Sequence, residues 1–201
     1  MTIEAEDTVG NQLSLEKTIE IVQFNFKKHT LTISEEKMHM EESLVSESKD
    51  LEKIMAELTK QSPAIKLWKG PFTTPLDIVR ITCDFGTIRT TQRKGRYAHK
   101  AIDVINAPRS VIWAPQDGIV VLKERFLYSG NTVVIDHGMG ILSLFGHLDE
   151  FAKINVKDHI KKGNPIGTLG KTGYASGYHL HWEMRINNIH IDPMQWTKTS
   201  F

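Results

Sequence analysis

The sequence predicts a mostly β protein: an antiparallel sheet or sandwich domain preceded by a short segment of strand and helix. Three observations carry that expectation. From residue 70 onward, apolar runs of strand length recur every 8 to 15 residues or so, separated by Gly, Pro, Asp and Asn. All seven prolines and 13 of the 14 glycines lie beyond residue 60. Residues 1–60 carry 7 Lys and Arg against 13 Asp and Glu, a balance of −6, whereas residues 61–201 carry 18 against 11, a balance of +7. Composition and charge turn over together, which divides the chain into residues 1–62 and 63–201, with a linker near QSPAIKLWKGP (61–71).

In the front segment, TIEIVQFNFKKHTLTI (18–33) reads as two short strands turning at Lys27-Lys28-His29. Leu44, Leu51, Ile54, Met55 and Leu58 then recur at helical spacing, predicting a helix over residues 43–60. So few apolar residues cannot build a core of their own. The segment is therefore expected to pack on the oppositely charged second domain and to regulate it. In that domain SVIWAP, GIVVLKERF, NTVVIDHG, GILSLFGHL, NPIGTLG, HLHWEMRI and IHIDP read as strands. Ser129-Gly130-Asn131, Gly138-Met139-Gly140 and Ile186-Asn187-Asn188 supply hairpin turns.

Several function classes are excluded. No run of about 18 apolar residues is present, so no transmembrane helix is expected. The start MTIEAEDTVGNQ has neither the basic opening nor the apolar middle of a signal peptide. A net charge of +1 without an aromatic platform argues against nucleic acid as a partner. One cysteine, Cys83, permits no internal disulfide and no cysteine-based zinc cluster; it reads as a small buried residue. A metal would have to rest on histidine and carboxylate.

The stretch GYHLHWEMR (177–185) alternates like a strand, with Leu180, Trp182 and Met184 on one face and His179, His181 and Glu183 on the other. In YAHKAIDV (97–104), His99 and Asp103 share a parity and are expected on one face of an extended segment. LFGHLDE (144–150) adds His147. Zinc hydrolases use three such ligands and keep a fourth position for water, so the four histidines and Asp103 exceed the shell by two. The surplus can do proton chemistry. Spacing alone stops at a two-histidine, one-aspartate metal hydrolase. Glu183 is a candidate for orienting a ligand histidine and Asn131 for lining the cleft. Arg93, Lys94, Arg96 and Lys100 form a basic cluster, and His137, His159 and His190 read as turn or surface residues.

The order His-x-x-x-Asp, His-Leu, His-x-His-aromatic-Glu resembles the LytM-type, or lysostaphin-type, M23 zinc metallopeptidases. DFGTIR (84–89), WAPQDGIV (113–120), GNTVVIDHGMG (130–140), HIKKGNPIGTLGKTG (159–173) and SGYHLHWE (176–183) extend the likeness over roughly residues 70–198. Residues 18–62 resemble the end of the β-rich N-terminal domain and linker of Gram-negative envelope members. The resemblance implies a LytM-type, duplicated hybrid motif-like β fold and one Zn2+ held by His99, Asp103 and His181. It makes His147 and His179 the non-ligand catalytic histidines. It implies peptidoglycan stem or cross-link peptides as substrates, cleaved in the manner of a DD-endopeptidase, and a location in the periplasm or cell envelope or outside the cell. An alternative within the same resemblance is a catalytically silent peptidoglycan-binding activator of a cell-wall amidase; such members lose ligands, and all three are present here. Ala101 stands where the family usually has Gly, Phe145 where it has Tyr, and Tyr178 where it has Pro, departures that bear on substrate fit more than on metal binding.

Overall fold

The computed structural model describes residues 2–198 apart from 19, 21–22, 31–34 and 92–94. Strands β1 (Thr2–Glu6) and β2 (Gln12–Glu16) form an antiparallel hairpin whose strand residues are all exposed. Its turn is held by Asp7, whose Oδ1 accepts from the backbone N–H of Val9 and Asn11, both at 2.9 Å. The strand pair expected over 18–33 does not form as predicted. Ile19 and Ile21 lie outside the described residues, and Phe24 and Phe26 belong to no strand. Lys28 and His29, the expected turn, instead open β3 (Lys28–Thr30), which pairs in parallel with residues Ile88–Thr90. A loosely alternating segment takes its register from a distant partner more readily than from itself.

Helix α1 (Glu35–Gln61) runs 27 residues, longer than the apolar spacing predicts. Pro63, which has no N–H to donate, follows its end. Ser62 pins that end to the second domain: its hydroxyl donates to Asp136 Oδ1 at 2.8 Å and accepts from Gly140 N at 2.9 Å.

The second domain comprises β4 (Arg80–Cys83), β5 (Ile88–Thr91), β6 (Gly95–Ala98), β7 (Ile102–Ile105), β8 (Val111–Trp113), β9 (Gly118–Phe126), β10 (Gly130–Asp136) and β11 (Ile141–Leu148). It continues through β12 (His159–Ile160), β13 (Pro165–Thr168), β14 (Leu180–Ile186) and β15 (Ile189–Ile191) to α2 (Pro193–Trp196). The main sheet has the order β12-β9-β10-β11-β14-β7-β4, with β15 alongside β14, and its pairs are antiparallel. Smaller sheets join β13 to β8 and β3 to β5 and β6. The β14–β15 turn falls on Asn187 and Asn188, both at positive φ (47° and 64°), as a tight hairpin of this hand requires.

One face of the main sheet packs Val133, Ile135, Phe145, Trp182 and Met184 into the principal core with Ile112, Ile166 and Leu169. The opposite face carries Val134, Leu142 and Leu144, and there α1 lays down Met55, fully buried, flanked by Leu51 and Leu58. Strand β11, covered on both sides, is buried at all eight positions. Burying Met55 contributes about 1.5–3 kcal/mol, so α1 is part of the fold's stability. His137 is no surface residue: it is fully buried, with Nδ1 donating to Asp117 O at 2.7 Å and Nε2 bonded to the Ser143 hydroxyl at 2.9 Å. Burial pushes its pKa down to about 4. His190 is half-buried, and His159 is exposed as expected.

Candidate active site

Four strands set one row of side chains. Gly146 on β11 pairs with His181 on β14, His181 with Asp103 on β7, and Asp103 with Cys83 on β4. Directly paired residues share a face, here the one that also bears Leu144 and its partner Glu183. The expected alternation of GYHLHWEMR stands: Leu180, Trp182 and Met184 enter the core, while His181 and Glu183 face the other way. His99 arrives differently from the prediction. Strand β6 ends at Ala98 and β7 begins at Ile102, so the chain turns between His99 and Asp103 instead of running extended. Thr87 O accepts from His99 N, and His99 O accepts from Gly86 N, both at 2.8 Å, which fixes that turn.

Asp103 is the hub. Arg89 Nη2 donates to its Oδ2 at 2.6 Å, leaving Oδ1 to face His181 Nδ1 at 2.9 Å, His99 Nε2 at 3.2 Å and His179 Nε2 at 4.0 Å. His99 Nδ1 donates to Asp84 O at 3.3 Å, so in the neutral ring the lone pair sits on Nε2, a buried atom without a hydrogen-bond partner. A lone pair turned on a carboxylate oxygen at this distance is repulsive unless a cation or proton lies between them. In a tetrahedral shell with bonds of about 2.0–2.1 Å, donors stand roughly 3.3 Å apart, close to the spacings around Oδ1. The donor set therefore fits a divalent metal. Among the described residues, the trio whose donor atoms all lie within 4.8 Å of one another is Cys83, His99 and Asp103, so the thiol lies beside the seat while His181 reaches it through Asp103 Oδ1 alone.

The electrostatics split the histidines. Burial pushes the His181 imidazolium down, but the carboxylates of Asp103 and Glu183 on either side outweigh it and hold its pKa at about 9. Burial likewise opposes ionisation of Asp103, yet the hydrogen bond from His181 keeps its carboxyl well below the usual range. For His99, burial wins and the pKa falls. Burial, with His181 and His179 adding to it, pushes His147 down to about 3.

His147 reaches the cleft through a bulge. The β10–β11 register slips between Asn131↔Leu148 and Val133↔Phe145, giving β11 one extra residue, and His147 takes φ 61°. Its Nδ1 donates to Thr172 O at 2.8 Å. The facing loop comes so close that a Cβ on Gly170 would lie 2.6 Å from His147 O and 2.2 Å from Asp149 N; glycine is required there. His179 Nδ1 donates to Gly177 O at 2.9 Å, and the His147 and His179 rings lie 4.6 Å apart.

His99, Asp103, His147, His179, His181 and Glu183 thus converge on one cleft of about 510 Å³. Asn131 does not line it: its side chain donates to Asp149 O at 2.8 Å and its backbone N–H to Thr172 Oγ1 at 2.9 Å, bracing the loop behind His147. Phe145 is fully buried in the core on the opposite face, so its missing hydroxyl does not touch the cleft. Arg93 and Lys94 lie outside the described residues, whereas Lys100 lines the cleft. Sequence reasoning missed Arg89, although DFGTIR contains it, and it set Cys83 aside. It also missed Arg185 and the wall formed by Ser48, Leu51 and Glu52 of α1.

Sheet, bulge and donor cluster define a mostly β domain with a candidate metal seat. Residues 97–193 match peptidase family M23. The chain is 34% identical over 126 residues to the peptidoglycan DD-endopeptidase ShyC of Vibrio cholerae serotype O1, a match covering 62% of this chain and 29% of that protein's length. The crystal structure of a zinc-containing peptidase from Vibrio cholerae aligns with a TM-score of 0.58 at 28% identity, over 63% of this chain and 40% of that one. A crystal structure from Pseudomonas aeruginosa aligns over 98% of this chain and 72% of that one, with a TM-score of 0.64 at 23% identity, a likeness of fold that includes the front segment.

Proposed function

We propose that the protein is a metal-dependent hydrolase of peptidoglycan stem or cross-link peptides, with zinc as the metal and a DD-endopeptidase-like cut, working in the cell envelope. The observation that carries this reading is the convergence of His99 Nε2 and His181 Nδ1 on Asp103 Oδ1, 3.2 and 2.9 Å away, in a cleft that also holds His147 and His179. The relatives' names supply the substrate class. His99, Asp103 and His181 would hold the metal. We choose His181 over Cys83 as the third ligand because its Nδ1 lies 2.9 Å from Asp103 Oδ1, the oxygen that His99 Nε2 also faces.

When bound, the metal supplies Lewis-acid chemistry, polarising the scissile carbonyl and lowering the pKa of a water. The chain's own groups do the rest. Arg89 and His181 keep Asp103 ionised. His147 and His179 each commit Nδ1–H to a backbone carbonyl, which leaves Nε2 as the nitrogen that can take or give a proton. One can accept a proton at Nε2 and pass it to the leaving amine. The other, carrying a proton at Nε2, can donate to the carbonyl oxygen as charge develops there. Residues 1–62 enter the same reading as regulators, since α1 forms a wall of the cleft.

Mass spectrometry of muropeptides digested by the wild type and by His181→Ala, together with bound-metal analysis, tests this reading. Cleavage of a peptide cross-link by the zinc-loaded wild type alone is expected. A wild type that holds zinc stoichiometrically yet cuts no cross-linked sacculus would overturn the enzymatic reading in favour of the silent activator.

A further inference from the structure

Arg185 is a cation buried to 2% exposure on the face that carries His181 and Glu183. A buried cation persists only with carboxylates around it. Its Nε donates to Glu183 Oε1 at 2.5 Å, and its Nη1 donates to Glu52 Oε2 at 2.7 Å and Asn188 Oδ1 at 2.9 Å. Glu52 comes from α1, 133 residues earlier and outside the M23 match. The other oxygen of Glu183, Oε2, lies 3.9 Å from His181 Nε2. His190 Nε2, buried and without a hydrogen-bond partner, stands 3.5 Å from Glu183 Oε1 and 3.8 Å from Glu52 Oε1. Polar groups thus run from the front helix to a candidate metal ligand.

We infer that Glu52 is a positioning residue for the metal site. Glu52 holds one arm of the Arg185 guanidinium, and a guanidinium fixed at both ends has one orientation. So fixed, it anchors Glu183 by Oε1 and turns Oε2 toward His181 Nε2. Once a metal takes the place of the Nδ1 proton that faces Asp103 Oδ1, a carboxylate there holds the remaining proton on Nε2 and so keeps Nδ1 as the liganding nitrogen. The helix therefore sets which nitrogen of His181 is offered to a metal. This rests on the proposed role of His181 as a ligand.

The test uses the full chain loaded with zinc, in competition with a chromogenic chelator, and the ring-nitrogen NMR shifts of His181. Glu52→Ala should weaken zinc retention by roughly tenfold, the lower end of the effect of removing a ligand's supporting partner. It should also blur the His181 tautomer signature. Glu52→Gln, which keeps an oxygen for Arg185 Nη1, should stay near wild type, and Glu52→Lys should lose most. Met55→Ala loosens the same helix without touching this network and should leave zinc competition unchanged. Wild-type retention in both Glu52→Ala and Glu52→Lys would overturn the inference, as would an equal loss in Met55→Ala. A wild type that binds no zinc would instead sink the proposed function.

Discussion

One face of the main sheet has two halves of opposite character, although β11 runs through both. At one end Val134, Leu142 and Leu144 lie dry beneath Met55 of α1. At the other, Gly146 and His181 open onto a cleft with five histidines and Asp103. The alternation of each strand decides which residues share the face; what covers the face decides their chemistry. In the dry half, apolar contact is enough. In the polar half each ring is tied down, His99 to Asp84 O, His147 to Thr172 O and His179 to Gly177 O. His147 and His181, with ring centres only 5.9 Å apart, are driven to pKa values near 3 and 9, because burial governs one and two carboxylates the other.

Four outcomes would sharpen or break this division. His181→Ala should empty the site and abolish turnover, read by metal content and muropeptide cleavage. His179→Ala should keep the metal and lower kcat by about 10²–10⁴-fold, the usual worth of a positioned acid or base. Equal metal loss in both variants would mean the two histidines do not divide their labour. Met55→Ala, in the dry half, should cost about 2–5 kcal/mol in denaturant unfolding and leave bound metal unchanged. If it removed metal as well, the halves would not be separable.

The fourth outcome concerns a histidine remote from the cleft. His137 titrates near 4 in the fold and about 6.5 unfolded, so between those values the unfolded chain binds the extra proton. Stability should therefore fall as pH drops from about 6.5 to 4, by at most about 3 kcal/mol, and the slope should flatten in His137→Gln. An identical slope in that variant would assign the acid sensitivity to other groups.

Much of this was legible in the chain. The order of motifs and the alternation around His179 and His181 located the cleft, because a strand's period places side chains without knowledge of its neighbours. His99 and Asp103 lie side by side, 3.2 Å apart, but a turn through Lys100 and Ala101 brings them together where an extended segment was expected. The β1–β2 hairpin escaped notice because none of its strand residues packs against a core, leaving only its turn as a signal. Arg185 and Glu52 were invisible as partners: 133 residues separate them, and nothing local marks a charge as the buried kind.

The family match begins at residue 97, yet β11 is covered on one side by a helix that ends at residue 61. Homology and folding therefore draw different borders. A fragment starting at residue 63 would turn the Val134–Leu142–Leu144 strip out to water, an apolar patch of the sort that drives self-association. Its solubility should depend on protein concentration where that of the longer chain does not. The stretch that carries the chemistry is shorter than the stretch that keeps it dissolved.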